Sequence, residues 1–287
     1  MTLATSRLAP AKINLYLHVA APDANGYHPL QSLVVFADIG DRLSLREQPG
    51  LTITGPFASG LSTGEDNLIL KAQRLFEVAT GIRYKGGFIL DKQLPLASGL
   101  GGGSADAGAC LHLLHEACAP DLSDADLNAI ASSIGADGPM CLWNQSSIAE
   151  SYGEKLTSVP LPSMQAVLIN PGIDCSTGQV YHMLDQGKHF ENIDVKSMFQ
   201  RTYNLANLVA ALQQTRNDLQ APAIAIQPVI ADILAKLDAQ PQTLLARMSG
   251  SGATCFALCA SNEDAAALAL GMQGVWPAHW VRACRLG

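Results

Sequence analysis

Between residues 11 and 19 apolar and polar side chains alternate. Ala11, Ile13, Leu15, Leu17 and Val19 fall on one side, and Lys12, Asn14, Tyr16 and His18 on the other. A period of two is that of a strand, whose successive side chains point to opposite faces. Leu30 to Phe36 and Asp41 to Leu45 read as two more strands. They follow "PDANGYHP" (22–29), whose prolines, glycine and asparagine mark a loop. From Asn67 the period becomes helical: residues 67–80, NLILKAQRLFEVAT, predict a helix that stops at Gly81. A strand is expected over 87–91, a helix over 104–119 and another over 123–134, with Ser123 as N-cap and Asp126 three residues on. The proline-bearing stretch 158–164 reads as a linker. Beyond it the pattern predicts a strand over 165–170, helices over 176–184, 205–217 and 228–239, and a glycine turn in "RMSGSGATCFALCA" that runs into a strand. Strands and helices mix without regular βαβ alternation, so the expected class is α+β in two lobes, with halves 1–158 and 159–287.

Composition narrows the classes of function. Of 287 residues, 48% are hydrophobic and 15% charged, which fits an ordinary globular chain. No apolar run has the length of a membrane span, and MTLATSRLAPAKINLYLHVA lacks the order of a secretory signal. The expectation is a cytoplasmic protein with no membrane partner. A net charge of −7 without any basic tract argues against a nucleic-acid partner, though not against a small anion held by local groups. The seven cysteines show no C-x-x-C spacing, so reduced thiols are expected. His112 and His115 stand three apart on a predicted helix, where packing is the ordinary explanation and no metal site is expected.

The candidate chemistry lies in "LPLASGLGGGSADAG" (94–108), where four of the five residues 99–103 are glycine. Glycines allow positive φ and close approach to the backbone, and successive N–H groups can converge on an anion. A helix start just beyond adds unpaired N–H groups and a favourable dipole. Ser104 and Asp106 stand where they would cap that helix or help position a metal. The G-x-G-x-x-G pattern fails because position 104 is serine, and no G-x-x-x-x-G-K-[ST] is present. Lys12 and Asn14 share a strand face, which on its own reads as a solvated surface ahead of a site. Asp137, in "IGADGPM", is on its own as readily a turn residue as a base.

Residues 95–104, P-L-A-S-G-L-G-G-G-S, resemble the second motif of the GHMP kinases, a superfamily of small-molecule kinases. "APAKINLYL" (9–17) resembles the first motif and "MSGSGATCFAL" (248–258) the third. PAKINL, GYHPLQS, DNLI, SGLGGGSADA, IGADGP and SGSGATCF occur in the order of the branch that acts on a cytidine diphosphate polyol. The resemblance implies a two-lobed GHMP kinase fold with the active site in the cleft between lobes. It implies ATP as co-substrate with Mg²⁺, a small-molecule acceptor, and a monomer or homodimer. Carried over by motif, Lys12 and Asp137 are catalytic. Pro95, Leu96, Ala97, Ser98, Gly99, Leu100, Gly101, Gly102, Gly103, Ser104 and Ala105 bind ATP. Asn14, Tyr27 and His28 bind substrate, and Gly250, Ser251 and Gly252 form a second glycine turn. Tyr181, after "NPGIDCSTGQV", is a further substrate candidate for closing over the base, and is as readily an ordinary residue of an amphipathic helix. The chain departs from the pattern in "AAPDANGYH", which has Asn25 before the glycine and no arginine where the family has a basic stretch and D-G-Y-H. Ala97 and Ser98 replace glycines found in some members, and Gly138 stands where valine is common. A GHMP kinase with another acceptor and a nucleotide binder without catalysis are the competing expectations.

Overall fold

A computed structural model describes residues 5–187, 190, 195–199 and 203–287. Along the chain the elements are β1 (Ser6–Val19), β2 (Leu30–Arg46), β3 (Gly50–Thr54), α1 (Leu68–Thr80), β4 (Gly87–Asp91), α2 (Gly102–Cys118), α3 (Asp124–Ile134) and α4 (Gly138–Trp143). They continue with β5 (Ser147–Ser151), β6 (Lys155–Ser158), β7 (Met164–Asn170), α5 (Thr177–Gly187), a 3-10 turn (Lys196–Phe199), α6 (Leu205–Leu212), α7 (Gln220–Ile226) and α8 (Val229–Asp238). The last are β8 (Thr243–Met248), β9 (Cys255–Cys259), α9 (Asn262–Val275) and β10 (Trp280–Leu286). The class is α+β, as expected. None of the described helices is long and apolar enough to cross a membrane.

Two compact units divide the chain. The first comprises Met1–Lys12, Ile39–Leu96 and Gly101–Asn144; the second comprises Ile13–Asp38, Ala97–Leu100 and Gln145–Gly287. In the first unit the end of β2 pairs antiparallel with β4, Arg42 opposite Asp91, and β3 runs parallel to β4. Helix α1 is capped by its own sequence: the Asn67 side chain accepts from the Ile69 amide, and Gly81 adopts the left-handed conformation. Helix α2 packs against α1, α3 and α4 and is buried on nearly every side. Two glycines bring α4 close to its neighbours. A Cβ on Gly108 would lie 2.3 Å from the Cys141 carbonyl oxygen, and one on Gly138 would lie 1.9 Å from that of Ala131.

In the second unit the start of β2 pairs antiparallel with β5, Leu30 opposite Ser151, and β5 with β6. Strand β7 lies between β9 and β10, and β8 flanks β9. The core contains Val167, Ile169, Ile230, Ile233, Leu237 and Met248.

Several expectations are corrected. The segments 30–36 and 41–45 are one strand, because Gly40 is no break: it lets the backbone pass Ala9, whose carbonyl oxygen would stand 2.1 Å from an added Cβ. Helix α2 begins two residues early, so Gly102 and Gly103 are helical. Neither Ser104 nor Asp106 caps it; the N-cap is Gly101, at φ 65° and without a side-chain bond. The helix expected over 205–217 ends at Leu212, because the chain turns away to run beside β1. There Leu17 donates its amide to Arg216 and accepts from Asp218.

Candidate active site

The polar face of β1 is not a solvated surface. Lys12 is 8% exposed, and Asn14, Tyr16 and His18 are buried with it. In the first unit the Lys12 Nζ donates to Asp137 Oδ2 at 2.9 Å across 125 positions of sequence. Asp137 sits just before α4 but makes no capping bond, so its carboxylate is not spent on the helix. Burial pulls the Lys12 ammonium toward deprotonation. The Asp137 charge and hydrogen bond more than reverse this, and the pKa ends above the ordinary 10.5. The lysine stem lies along the glycine loop: a Cβ on Gly101 would meet Lys12 Cε at 3.2 Å and its Cβ at 3.3 Å. The N–H groups that the first turn of a helix leaves unpaired therefore start beside the ion pair. Ser104 is half-exposed in that turn and Ala105 is buried.

Three charged residues, Asp41 and Lys92 outside the expected set and Asp106 in another role than expected, support the loop from within the same unit. Lys92 is buried and donates to Asp41 Oδ2 at 2.6 Å and Asp106 Oδ2 at 2.7 Å. Asp41 Oδ1 accepts from the amides of Gln93 (2.6 Å) and Leu94 (2.8 Å), which fixes the chain as it enters the loop. A Cβ on Gly102 would lie 3.1 Å from Lys92 Nζ, so this ammonium reaches the first turn of α2. Burial, aided by the Asp41 charge, pushes the Asp106 carboxyl up to about 7 against the opposing pull of Lys92. Asp106 is thus committed to Lys92 rather than to a cap. The available signal was a lysine three residues before Pro95 at the end of a strand.

The second unit holds the other part of the loop and the second glycine turn. Gly99 and Gly250 have φ of 75° and 57°. A Cβ on Gly99 would lie 2.4 Å from the Ser249 carbonyl oxygen, so only glycine allows these turns to meet. Ser249 Oγ donates to the Gly99 carbonyl (3.2 Å), and the Thr254 amide donates to that of buried Ser98 (3.2 Å). Asn217, a further residue the sequence does not point to, clamps the second turn by donating to the carbonyls of Met248 and Gly250, both at 2.8 Å. Ser251 Oγ shares a hydrogen bond with Thr177 (2.8 Å), and the Gly252 amide closes back on Ser249. Asn14 donates through Nδ2 to Ser32 Oγ (2.8 Å), and its buried Oδ1 is without a partner among the described residues.

The loop after β1 lies in the same unit. Tyr27 is 68% exposed, whereas the His28 side chain is only 6% exposed. Both His28 nitrogens are engaged, Nδ1 with the Ala20 carbonyl at 2.8 Å and Nε2 with Asp185 Oδ1 at 3.1 Å. Both partners are acceptors, so the ring is held as a brace and not as a free donor. Tyr181 on α5 packs against it, ring centroids 5.3 Å apart. Elsewhere His112 and His115 contact the backbone carbonyls of Leu142 and Leu122.

Comparison with known proteins gives the chain's family. GHMP kinases N terminal domain matches residues 67–145, and GHMP kinases C terminal matches 197–278. A 4-diphosphocytidyl-2-C-methyl-D-erythritol kinase of Caulobacter vibrioides (strain NA1000 / CB15N) is 48% identical over 288 residues, covering 98% of this chain and 99% of its own. A crystal structure of 4-(cytidine 5'-diphospho)-2C-methyl-D-erythritol kinase superposes with a TM-score of 0.79 at 30% identity, covering 98% of this chain and 99% of that one. Homoserine kinase from Cytophaga hutchinsonii shares the fold at TM-score 0.66 and 21% identity, covering 99% and 96%. With relatives this similar over nearly the whole length, the chain belongs to the GHMP kinases and, within them, to the 4-diphosphocytidyl-2-C-methyl-D-erythritol kinase family.

Proposed function

We propose that this chain transfers the terminal phosphoryl group of ATP to the 2-hydroxyl of 4-diphosphocytidyl-2-C-methyl-D-erythritol, giving the 2-phosphate and ADP, on the methylerythritol phosphate route to isoprenoid precursors. The observation that carries the assignment of the chemistry is the Lys12–Asp137 pair at 2.9 Å, with the lysine stem laid against Gly101 at the start of α2. In this reading Asp137 orients the acceptor hydroxyl and takes its proton. Lys12, held charged by its partner, stabilises the negative charge that develops on the attacking oxygen. Residues 95–105 cradle the nucleotide phosphates with backbone N–H groups, and the Lys92 ammonium lends positive charge beneath them. Phosphoryl transfer asks little covalent chemistry of the protein, so position and electrostatics account for most of the rate.

On the acceptor side stands Asn14, whose Oδ1 is buried and without a partner among the described residues. Tyr27 offers an exposed ring for the base, and His28 and Tyr181 brace the loop that carries it. No cluster of three or more acidic, histidine or cysteine side chains suited to a metal occurs among the described residues. Mg²⁺ would arrive on the nucleotide, as this ion commonly does, and half-exposed Ser104 in the first turn of α2 would supply a protein oxygen to it. Bound there, Mg²⁺ neutralises phosphate oxygens.

The test is a coupled assay with purified protein, ATP, Mg²⁺ and the cytidine diphosphate polyol, followed by locating the new phosphate on the product. ADP released only with this acceptor, and phosphate at the 2-position, are the expected results. Turnover on homoserine or mevalonate instead would reject the acceptor, and no turnover on any alcohol would reject the kinase.

A further inference from the structure

Asp23 does more than sit in a loop. Its Oδ1 accepts from the amides of Asn25 (2.8 Å) and Tyr27 (3.0 Å), and its Oδ2 accepts from the Tyr152 hydroxyl (2.5 Å). The amide bonds shape residues 23–27 into a turn. The backbone closes it through Gly26 donating to the Asp23 carbonyl (3.0 Å) and Asp23 donating to that of Tyr27 (2.8 Å). The third bond spans 129 positions and ties the turn to residues 152–154, between β5 and β6. Tyr152 is itself held there. Its amide donates to Glu154 Oε2 (2.8 Å), and Ser151 before it adopts φ 62°. A non-glycine residue in the left-handed region costs energy and persists where its surroundings require it. The rings of Tyr27 and Tyr152 meet edge-on, centroids 6.0 Å apart. The Tyr152 and Tyr27 bonds together hold Asp23 below the usual carboxylate range.

This network occupies the stretch AAPDANGYH, where Asn25 stands before the glycine and no arginine precedes it. We propose that Asp23 and Tyr152 form a latch that holds residues 23–27 in the conformation presenting Tyr27 to the acceptor. They are positioning residues that set affinity for the cytidine diphosphate polyol without entering the transfer step. The inference rests on the acceptor-side placement of Tyr27 proposed above. A hydrogen bond between partly exposed groups adds little to global stability. A loop that is competent only part of the time lowers apparent affinity by the competent fraction. The latch therefore acts on the acceptor KM and leaves kcat and the ATP KM alone.

Tyr152→Phe removes the hydroxyl and keeps the ring. If the unlatched turn is competent a tenth to a third of the time, the acceptor KM rises about three- to tenfold. The kcat and ATP KM should stay within about twofold. Asp23→Ala should match or exceed this effect, and adding Tyr152→Phe to it should change nothing further, because the shared bond is already lost. A second readout needs no substrate: amide hydrogen exchange at residues 25 and 27 should speed up in Tyr152→Phe while the amides of β1 keep their protection. Unchanged acceptor KM in Tyr152→Phe, additive effects in the double variant, or unchanged exchange at 25 and 27 would each overturn the latch. An equal loss in kcat and ATP KM would do the same by showing a general structural role. Failure of the unsubstituted protein to phosphorylate the polyol is a separate result, which would sink the acceptor assignment while the exchange measurement still decided the latch.

Discussion

Asp137→Asn tests the centre of the mechanism in two independent ways. The substitution keeps the shape and removes the charge and the basicity. Loss of a general base typically slows chemistry by about 10²–10⁴-fold, which is roughly 2.7–5.5 kcal/mol on the barrier. The same change strips Lys12 of its counter-charge. A buried pair that loses one partner costs about 3–5 kcal/mol, and an exposed one about 0–1 kcal/mol. Here the lysine side chain is 10% exposed and the aspartate 36%, so solvent screens one end, and the asparagine oxygen still accepts a hydrogen bond. A stability loss of about 1–2 kcal/mol at neutral pH is expected.

The pH dependence gives that loss a signature. In the unsubstituted protein the Lys12 pKa lies above 10.5, so its contribution to stability is full below 10.5 and is lost as pH rises through the folded pKa. In Asp137→Asn burial acts without the opposing charge, and the folded pKa drops below 10.5. Between that lowered value and 10.5 the unfolded chain binds more protons, so the variant gains stability with rising pH in that window. The gap between the two proteins should be widest near pH 7 and narrow toward pH 10. Urea unfolding at several pH values measures the gap, and steady-state kinetics measures turnover. Near-normal kcat would reject Asp137 as the base; a gap that does not change with pH would reject the energetic coupling to Lys12.

Lys12→Met keeps the packed stem and should lower kcat by about 10²–10³-fold while nucleotide binding, followed by calorimetry, stays near normal; unfolding of the variant would mark Lys12 as structural only. Gly101→Ala places a side chain at φ 65° and 3.2 Å from Lys12 Cε, so stability should fall by about 1–2 kcal/mol and kcat by tenfold or more; unchanged kinetics would show that the loop does not position the lysine. Asp106, raised from 3.8 to about 7, holds a proton in the folded state that the unfolded chain releases. Its contribution is present below 3.8 and lost as pH rises to about 7, so Asp106→Asn should gain stability relative to the unsubstituted protein across that range. Parallel stability curves for the two proteins would show that the burial of Asp106 has no such effect.

Local signals were legible where the partners are local. Ser123 caps its helix as its position foretold, because a cap bonds an amide two or three residues away. The alternation over 11–19 gave a strand, but period alone does not say what covers each face, and both faces of β1 are buried. The six-residue helix α4 and the short strands β3, β5 and β6 escaped because so few residues carry no resolvable period. The helix expected over 205–217 stopped early because residues 216–218 pair with Leu17 and Asn217 with the second glycine turn, partners far outside any local window. The site divides the same way. Glycines and a helix start announced an anion loop, yet only motif resemblance joined Lys12 to Asp137, neither route reached Asp41 or Lys92, and Asp106 was read as a cap or an aid to a metal instead of as the partner of Lys92.

The trio of Asp41, Lys92 and Asp106 bears on how the loop attracts phosphate. Two lysines touch the loop, and each is balanced: Lys12 by one carboxylate, and Lys92 by two, one of which titrates near neutrality. Counted with their partners, neither set carries a net positive charge at pH 7 when the carboxylates are ionised. Attraction for ATP in this reading must come from directed groups, the backbone amides at the start of α2 and the near face of each ammonium, together with the metal the nucleotide brings. Such dipoles act at contact range, whereas a surplus of free cations would also steer anions from a distance and would weaken steeply with salt. A chain of net charge −7 can therefore hold a polyanionic nucleotide without a basic surface, and its ATP KM should change little with moderate salt at constant Mg²⁺.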